Sequence, residues 1–471
     1  MYRYNIYIFL FTLLLLFNHI PTSSSQCIET PLFGKTHNKD CPSVADSLKN
    51  PLNKITDSLV DDGNSGGGMI KIMFTCDKNA KPELCNKADI AFNNAAKIVE
   101  NTFDLKVPVI VNASFVNLCD VFTVCVAGQP QPLGAAAPSR YLPIKDSDGA
   151  TRLFPQALVK QLQLFQHPEF APTDILAGFN SNSDVFWFRG DPPIGKDQVD
   201  FEIVLVHEFL HGLGFLTSWD DYFNKNASSL TPTPSFVFSN PEDGEDVKKG
   251  SIAFTGFQEY ALDKFLVLTK DNSSLTLITN QLNQFTSLNT TFPDEKAFLA
   301  AFTKSPQYEL TKEMFQNAIT RGTVAIRLAD GENALLETSL VPYKPGSTFS
   351  HVDFNAFANS TDFLMRFKAP RQVTLDNLTS INGNDPNYTN PIGPKTISIL
   401  QSLGYVVKPN AGTFKISDQT SNQNLTAPAQ NSTTTNSLKS DQQVNNAFAT
   451  TTKTLSQSLL LPFLVAILIL F

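Results

Sequence analysis

Residues 207 to 215 read His-Glu-Phe-Leu-His-Gly-Leu-Gly-Phe and follow the apolar run Ile203-Val-Leu-Val206. On an α-helix, positions i and i+4 share one face, so His207 and His211 can both reach one ion at the roughly 2.0–2.1 Å that zinc requires. Glu208 stands about 100° around the helix from His207. That offset leaves its carboxylate beside the metal, free to take a proton from water rather than to ligate. Gly212 and Gly214 let the chain leave the helix sharply and make room for a further ligand. The chain has only six histidines, so chance alone would give this pattern in on the order of one such sequence in a few hundred. The plain alternative is two unrelated core or surface histidines.

A catalytic zinc site keeps three protein ligands and one open position. The remaining histidines are His19, within an apolar N-terminal stretch, His37, among cysteines, His167, in the turn-like Phe165-Gln-His-Pro-Glu169, and His351, in Gly346-Ser-Thr-Phe-Ser-His-Val-Asp353. Glu259 and Asp263 form a rival, because Glu-X-X-X-Asp is a spacing that glutamate-type zinc peptidases use; the same pair also fits a solvated helix face. Imidazole suits zinc well, and a Met-bearing segment, Thr361-Asp-Phe-Leu-Met-Arg366, follows His351, which favours His351 over Glu259. With such a site Glu208 would act as general base and then pass the proton to the departing amine of a cleaved peptide.

Taken in order, His207 to Phe215, Ser350-His351-Val352-Asp353, Leu364-Met365 and Leu403-Gly404-Tyr405 resemble the leishmanolysin-like branch of the metzincin metallopeptidases. The resemblance spans roughly residues 90 to 408 and is sharp at those four places. In the compact metzincin pattern the third histidine follows the second by six residues, where this chain has Thr217. The resemblance implies that His351 is the third ligand and that Met365 forms an apolar floor under the metal. It implies an α+β fold: a metzincin-like, two-lobed catalytic domain with a mixed sheet, an active-site helix and a C-terminal helix. It also implies a zinc-dependent endopeptidase with one catalytic Zn2+ and protein or peptide substrates. The competing class is a cell-surface adhesion or binding glycoprotein with a non-catalytic zinc site. Structural sites normally close with four ligands rich in Cys, however, and give Glu208 no purpose. Hydrolysis of non-peptide amides is a third reading.

The elements that must position these residues follow from periodicity. Lys87 to Leu105 repeats apolar residues at three- and four-residue steps and reads as a helix. Val107 to Phe115, Ile175 to Phe179 and Val185 to Phe188 read as strands. Asp200 to Gly212 is the helix that carries the motif. A loop-rich stretch from Ser218 to Gly256 comes next, then helices near Phe257 to Val267 and Asp294 to Lys304. A last helix, Gly393 to Leu403, closes at Gly404.

The two ends carry addresses. Residues 1–25 run from a short basic start through an apolar core to Thr22–Ser25, as in a secretory signal peptide. Residues 26–408 form the metallopeptidase domain, disulfide-rich at its N-terminal end and with room there for a pro-segment. The Ser/Thr/Asn-rich stretch 409–445 reads as an unfolded stalk. Residues 446–471 end in 13 apolar residues, Leu459 to Phe471, with no basic residue beyond them. That is too short for a span of about 20 residues and fits a glycosylphosphatidylinositol attachment signal with Asn445 as the modified residue. The alternative is a tail anchor or a loosely buried C-terminal helix.

Cys27, Cys41, Cys76, Cys85, Cys119 and Cys125 read as three disulfides in a secreted chain, with Cys76–Cys85 and Cys119–Cys125 the simplest pairs. Sequons at Asn112, Asn226, Asn272, Asn289, Asn359, Asn377, Asn387, Asn424 and Asn431 suit the extracellular face of the plasma membrane, reached through a lipid anchor. A net charge of −8 and a pI near 5.3 supply no basic field for nucleic acid. No pattern reports an oligomeric state.

Overall fold

The computed structural model describes residues 25–30, 37–41, 43–45, 68–122, 131–181, 184–224, 226–238, 251–287, 289–382, 388–413 and 469–470. It is a mixed α/β structure with several small sheets. At the N-terminal end, β1 (Ser25–Glu29) and β2 (His37–Cys41) pair antiparallel and are linked by the Cys27–Cys41 disulfide. Then come β3 (Ile70–Cys76), α1 (Pro82–Thr102) and β4 (Val109–Val116). Pro at the first turn of α1 forfeits only an N–H that has no helical partner there, which moves the start of the helix ahead of the expected Lys87. The Cys76–Cys85 disulfide joins the end of β3 to that first turn.

The chain continues through β5 (Pro132–Pro138), β6 (Arg140–Lys145), β7 (Thr151–Pro155) and β8 (Ile175–Asn180) to α2 (Phe201–Gly212). Strands β3, β4 and β8 are parallel, with Ile72 and Ile175 flanking Val111. β5 runs antiparallel to β8. Val109, Val111, Ala113 and Phe115 alternate onto the buried face of β4, where α1 and α2 pack. Phe92 of α1 meets Phe179 of β8 and Phe201 of α2 at ring distances of 5.2 and 6.0 Å. Every residue of α2 is buried, as expected of a helix that is apolar nearly all round. The ribbon β6–β7 pairs with β1 in a second sheet.

A long insertion separates α2 from His351. It contains β9 (Thr233–Phe238), β10 (Ile252–Gln258), β11 (Leu266–Leu268), α3 (Leu275–Leu282), β12 (Thr290–Phe292), α4 (Glu295–Phe302), α5 (Gln307–Ala318), β13 (Val324–Arg327) and β14 (Asn333–Leu335). Its interior is aromatic: Phe298 lies 4.9 Å from both Phe236 and Phe254, and Phe302 lies 5.1 Å from both Phe257 and Phe285.

Two expectations are corrected here. The loop-rich stretch holds β9 and part of β10, whose Pro and Ser content hides their alternation. The helix expected near 257–267 is instead the end of β10, a 3-10 turn at Ala261–Phe265 and strand β11. Asp263 accepts the Tyr260 N–H at 2.7 Å and closes that turn, and Leu266–Leu268 then pairs with β13. Helices α3 and α5 went unassigned in the sequence.

The last helix, α6 (Pro394–Leu403), ends at Gly404, φ +123°, a conformation that favours glycine. Folded structure continues past the expected boundary at residue 408, since Asn390 Nδ2 donates to Ala411 O and Thr389 N to Gly412 O, both at 2.8 Å. A two-residue strand β15 (Ile469–Leu470) pairs with β5. Residues 1–24, most of the stalk and tail, Cys125, Asn387, Asn424, Asn431 and Asn445 lie outside the described residues. Among the described residues no helix is long and apolar enough to cross a membrane.

Asp362, from a separate segment, caps α6 by accepting Thr396 N–H at 2.9 Å. A Cβ on Gly393 would sit 2.5 Å from the Asp362 Cα and 2.2 Å from its Oδ1. Gly393→Ala is therefore expected to destabilise the protein by about 1–3 kcal/mol, read as a lowered urea midpoint. An unchanged midpoint would show that the approach is not tight.

Candidate metal centre

The local sequence builds α2 as a ligand platform. Asp200 caps its N-terminus, accepting Glu202 N–H at 2.9 Å and, from far along the chain, Leu375 N–H at 2.7 Å. Burial, with the neighbouring Glu202 charge, pushes the Asp200 carboxyl up to about 7. Glu202 is held in turn by Arg189 at 2.7 Å and by Asn94 Nδ2 at 2.8 Å. At the other end Gly214 takes φ +117°, a turn that costs a side-chain-bearing residue strain. The turn brings the Phe215 carbonyl back over the helix end, where it accepts from His211 Nδ1 at 2.8 Å. Tyr405, just past α6, donates its hydroxyl to Leu213 O at 2.8 Å. The Leu-Gly-Tyr signature thus braces the helix exit.

His207 and His211 point to the same place, and His351 meets them there. The three Nε2 atoms lie 2.9 Å (His207–His211), 3.2 Å (His207–His351) and 3.3 Å (His211–His351) apart. A tetrahedral ion with ligands at about 2.05 Å needs ligand–ligand edges of about 3.3 Å. Two edges match that figure and the third is slightly shorter. Each Nδ1 faces a backbone carbonyl: Leu364 O for His207 at 2.7 Å, Phe215 O for His211 and Ser347 O for His351 at 2.9 Å. A carbonyl only accepts, so each Nδ1 carries the proton and each Nε2 presents a lone pair. Burial holds His207 down to about 4 and keeps His211 and His351 well below the usual histidine range. All three are at most 1% exposed. Among the described residues they are the one cluster of three His, Cys, Asp or Glu side chains able to hold an ion.

The rival ligands are elsewhere. Glu259 accepts from Arg152 Nε at 2.9 Å and from Thr279 Oγ1 at 2.7 Å. Asp263 takes Thr217 Oγ1 at 2.6 Å and Ser218 N–H at 3.0 Å. Thr217, at the position of the compact motif's third histidine, thus serves the turn of the insertion. His167 lies in a short strand, stacked on Phe170 at 4.1 Å. Met365 is fully buried; its carbonyl accepts Val352 N–H at 2.9 Å, which ties the Met segment to the residue after His351.

Glu208 is also fully buried, and among the described residues no side chain donates a hydrogen bond to its carboxylate. Burial pushes its carboxyl well above the usual range, opposed only by the nearby backbone of Ala136 on β5. An unsatisfied buried carboxyl is costly, and such groups concentrate where chemistry is done. Of the sequons, Asn226, Asn272, Asn289, Asn359 and Asn377 are exposed, while Asn112 is half-buried within β4.

The comparisons with known proteins extend beyond the site. A family model described as SPBPB7E8-like matches residues 26–444. An uncharacterized protein of Schizosaccharomyces pombe, PB7E8.01, is 29% identical over 364 residues, which cover 72% of this chain and 63% of that protein. No solved structure matches.

His351→Ala is expected to strip stoichiometric metal from the purified chain, while Glu259→Gln leaves it bound. Elemental analysis of both variants checks this, and full metal in His351→Ala would remove His351 from the ligand set.

Proposed function

The chain belongs to the SPBPB7E8-like family, and from that premise we propose that it is a zinc-dependent endopeptidase of metzincin-like design. The observation that carries the reading is the convergence of three Nε2 lone pairs next to a buried, unpartnered glutamate. The donor set suits zinc: three neutral imidazoles, each fixed in one tautomer by a carbonyl. His207, His211 and His351 would hold the ion, and Met365 would line the apolar ground behind them. When bound, zinc supplies Lewis acidity that makes water a usable nucleophile near neutral pH.

The chain's own work falls to Glu208 and to β5. A cation beside Glu208 opposes the rise that burial imposes and favours the carboxylate. That carboxylate takes a proton from the attacking water and returns it to the departing amine. Among the described residues, Ala135–Pro138 of β5 are paired only with β8. Every residue of β5 is buried, and the Ala136 backbone stands at Glu208. A purely structural zinc site would leave the unpartnered Glu208 unexplained.

The compartment belongs to the same proposal. The Cys27–Cys41 and Cys76–Cys85 disulfides and, among the described residues, five exposed sequons support a secreted glycoprotein; its tethering by a glycolipid rests on the C-terminal sequence alone. The chain spans 63% of the length of its fission-yeast relative.

Glu208→Ala is expected to retain zinc and to lose at least about a thousandfold in cleavage of a denatured protein substrate, in line with the combined loss of base and acid roles. A chelator should abolish the wild-type activity, and added zinc should restore it. Cleavage by Glu208→Ala at the wild-type rate would eliminate the mechanism.

A further inference from the structure

His351 is the ligand that α2 does not supply, so its placement depends on what holds its own stretch of backbone. That stretch lies between two others: Val352 bridges Leu336 on one side and Arg366 on the other. Glu337 N–H donates to His351 O at 2.8 Å, Asp353 N–H to Leu335 O at 3.0 Å, and Val352 N–H to Met365 O. The strand beside His351 is therefore the continuation of β14, the last strand of the insertion.

Two charged side chains lock this ladder from outside the histidine cluster. The buried Glu337 carboxylate accepts Ser339 N–H at 2.8 Å and Phe354 N–H at 3.0 Å. It thus joins the two strands, but the groups that donate to it are all neutral. Asp353, two residues after His351 and 1% exposed, is held by a full charge. Arg321 donates from Nε to Oδ2 at 2.9 Å and from Nη2 to Oδ1 at 2.8 Å. Oδ1 also accepts Ala356 N–H at 2.7 Å and Asn355 N–H at 3.1 Å, which fixes the turn that follows the histidine. Arg321 comes from the segment after α5, and the next residue, Gly322, donates its N–H to Thr338 Oγ1 at 2.9 Å.

We infer that Arg321 is a positioning residue for the third metal ligand: its two-pronged grip on Asp353 registers the His351 strand against α2, so metal affinity depends on it. The inference rests on the metal-binding reading above. An exposed ion pair is usually worth little, about 0–1 kcal/mol. Here the acceptor is buried and the grip is bidentate, a geometry that fixes direction as well as distance. Without Arg321 the buried Asp353 loses both prongs of the grip that holds its turn, which frees the turn to move. Metal–ligand distances tolerate only about 0.2 Å, so a small displacement of the turn reaches the imidazole. Lys cannot reproduce the fork.

The test is zinc affinity of the purified full chain, by competition with a chromophoric chelator, for wild type, Arg321→Gln, Arg321→Lys and Lys270→Gln. The last removes a solvent-exposed pair with Glu313 in the same insertion. Arg321→Gln is expected to weaken zinc binding about 10–100-fold, the range for residues that orient metal ligands, with a smaller loss in Arg321→Lys and none in Lys270→Gln. The visible spectrum of the cobalt-loaded Arg321→Gln protein should differ from that of the cobalt-loaded wild type. Zinc binding by Arg321→Gln as tight as wild type, or an equal loss in Lys270→Gln, would overturn the inference. Should Arg321→Gln not be recovered folded, wild-type affinity in Arg321→Lys overturns it instead. A wild-type chain that binds no zinc would sink the metal reading itself, a result distinct from all of these.

Discussion

Three imidazole nitrogens with their lone pairs aimed at one point repel one another unless a cation stands between them. The rest of the structure is arranged to hold them there. Each ring is fixed through its opposite nitrogen by a backbone carbonyl: from the Met365 segment, from the turn after α2, and from the loop ahead of His351. Because these acceptors are main chain, the tautomers cannot drift with pH as they would against titratable partners. The folding of three separate segments is thereby coupled to one polar cluster.

Burial sharpens the same constraint. The three histidines and Glu208 are at most 1% exposed, and α2, which carries all of them but His351, is otherwise almost entirely apolar. Such surroundings penalise charge on any single group, which keeps the imidazoles neutral and able to ligate. The same surroundings leave Glu208 as a carboxyl in search of a cation or a proton. The site is thus poor ground for a lone charge and good ground for a metal paired with a carboxylate.

The insertion between His211 and His351 is part of the site rather than an ornament on it. Its interior is packed with phenylalanines, and its final strands deliver Leu336 and Glu337 beside the His351 backbone. Its turn around Asp263 captures Thr217 and Ser218, just past the helix exit. Both ends of the insertion therefore anchor close to one of the three clustered histidines.

Read alone, the sequence determined the parts whose physics is local. The i, i+4 histidines, the all-round apolar helix, the glycine exits at Gly214 and Gly404, the strand at Val109–Val116 and the Cys76–Cys85 pair follow from spacing and conformational preference. The short distances along the chain leave those elements few alternatives. What lay beyond spacing were the third member of the histidine cluster and the shape of the insertion. The sequence left both His351 and Glu259 standing, and it read Phe257 to Val267 as a helix. Only the tertiary structure separates them, because Glu259 finds Arg152 and two threonines while His351 is carried to α2 on a ladder of strands far apart in sequence. Contacts between distant segments form where burial and hydrogen bonding are satisfied together, and no periodicity along the chain encodes that choice.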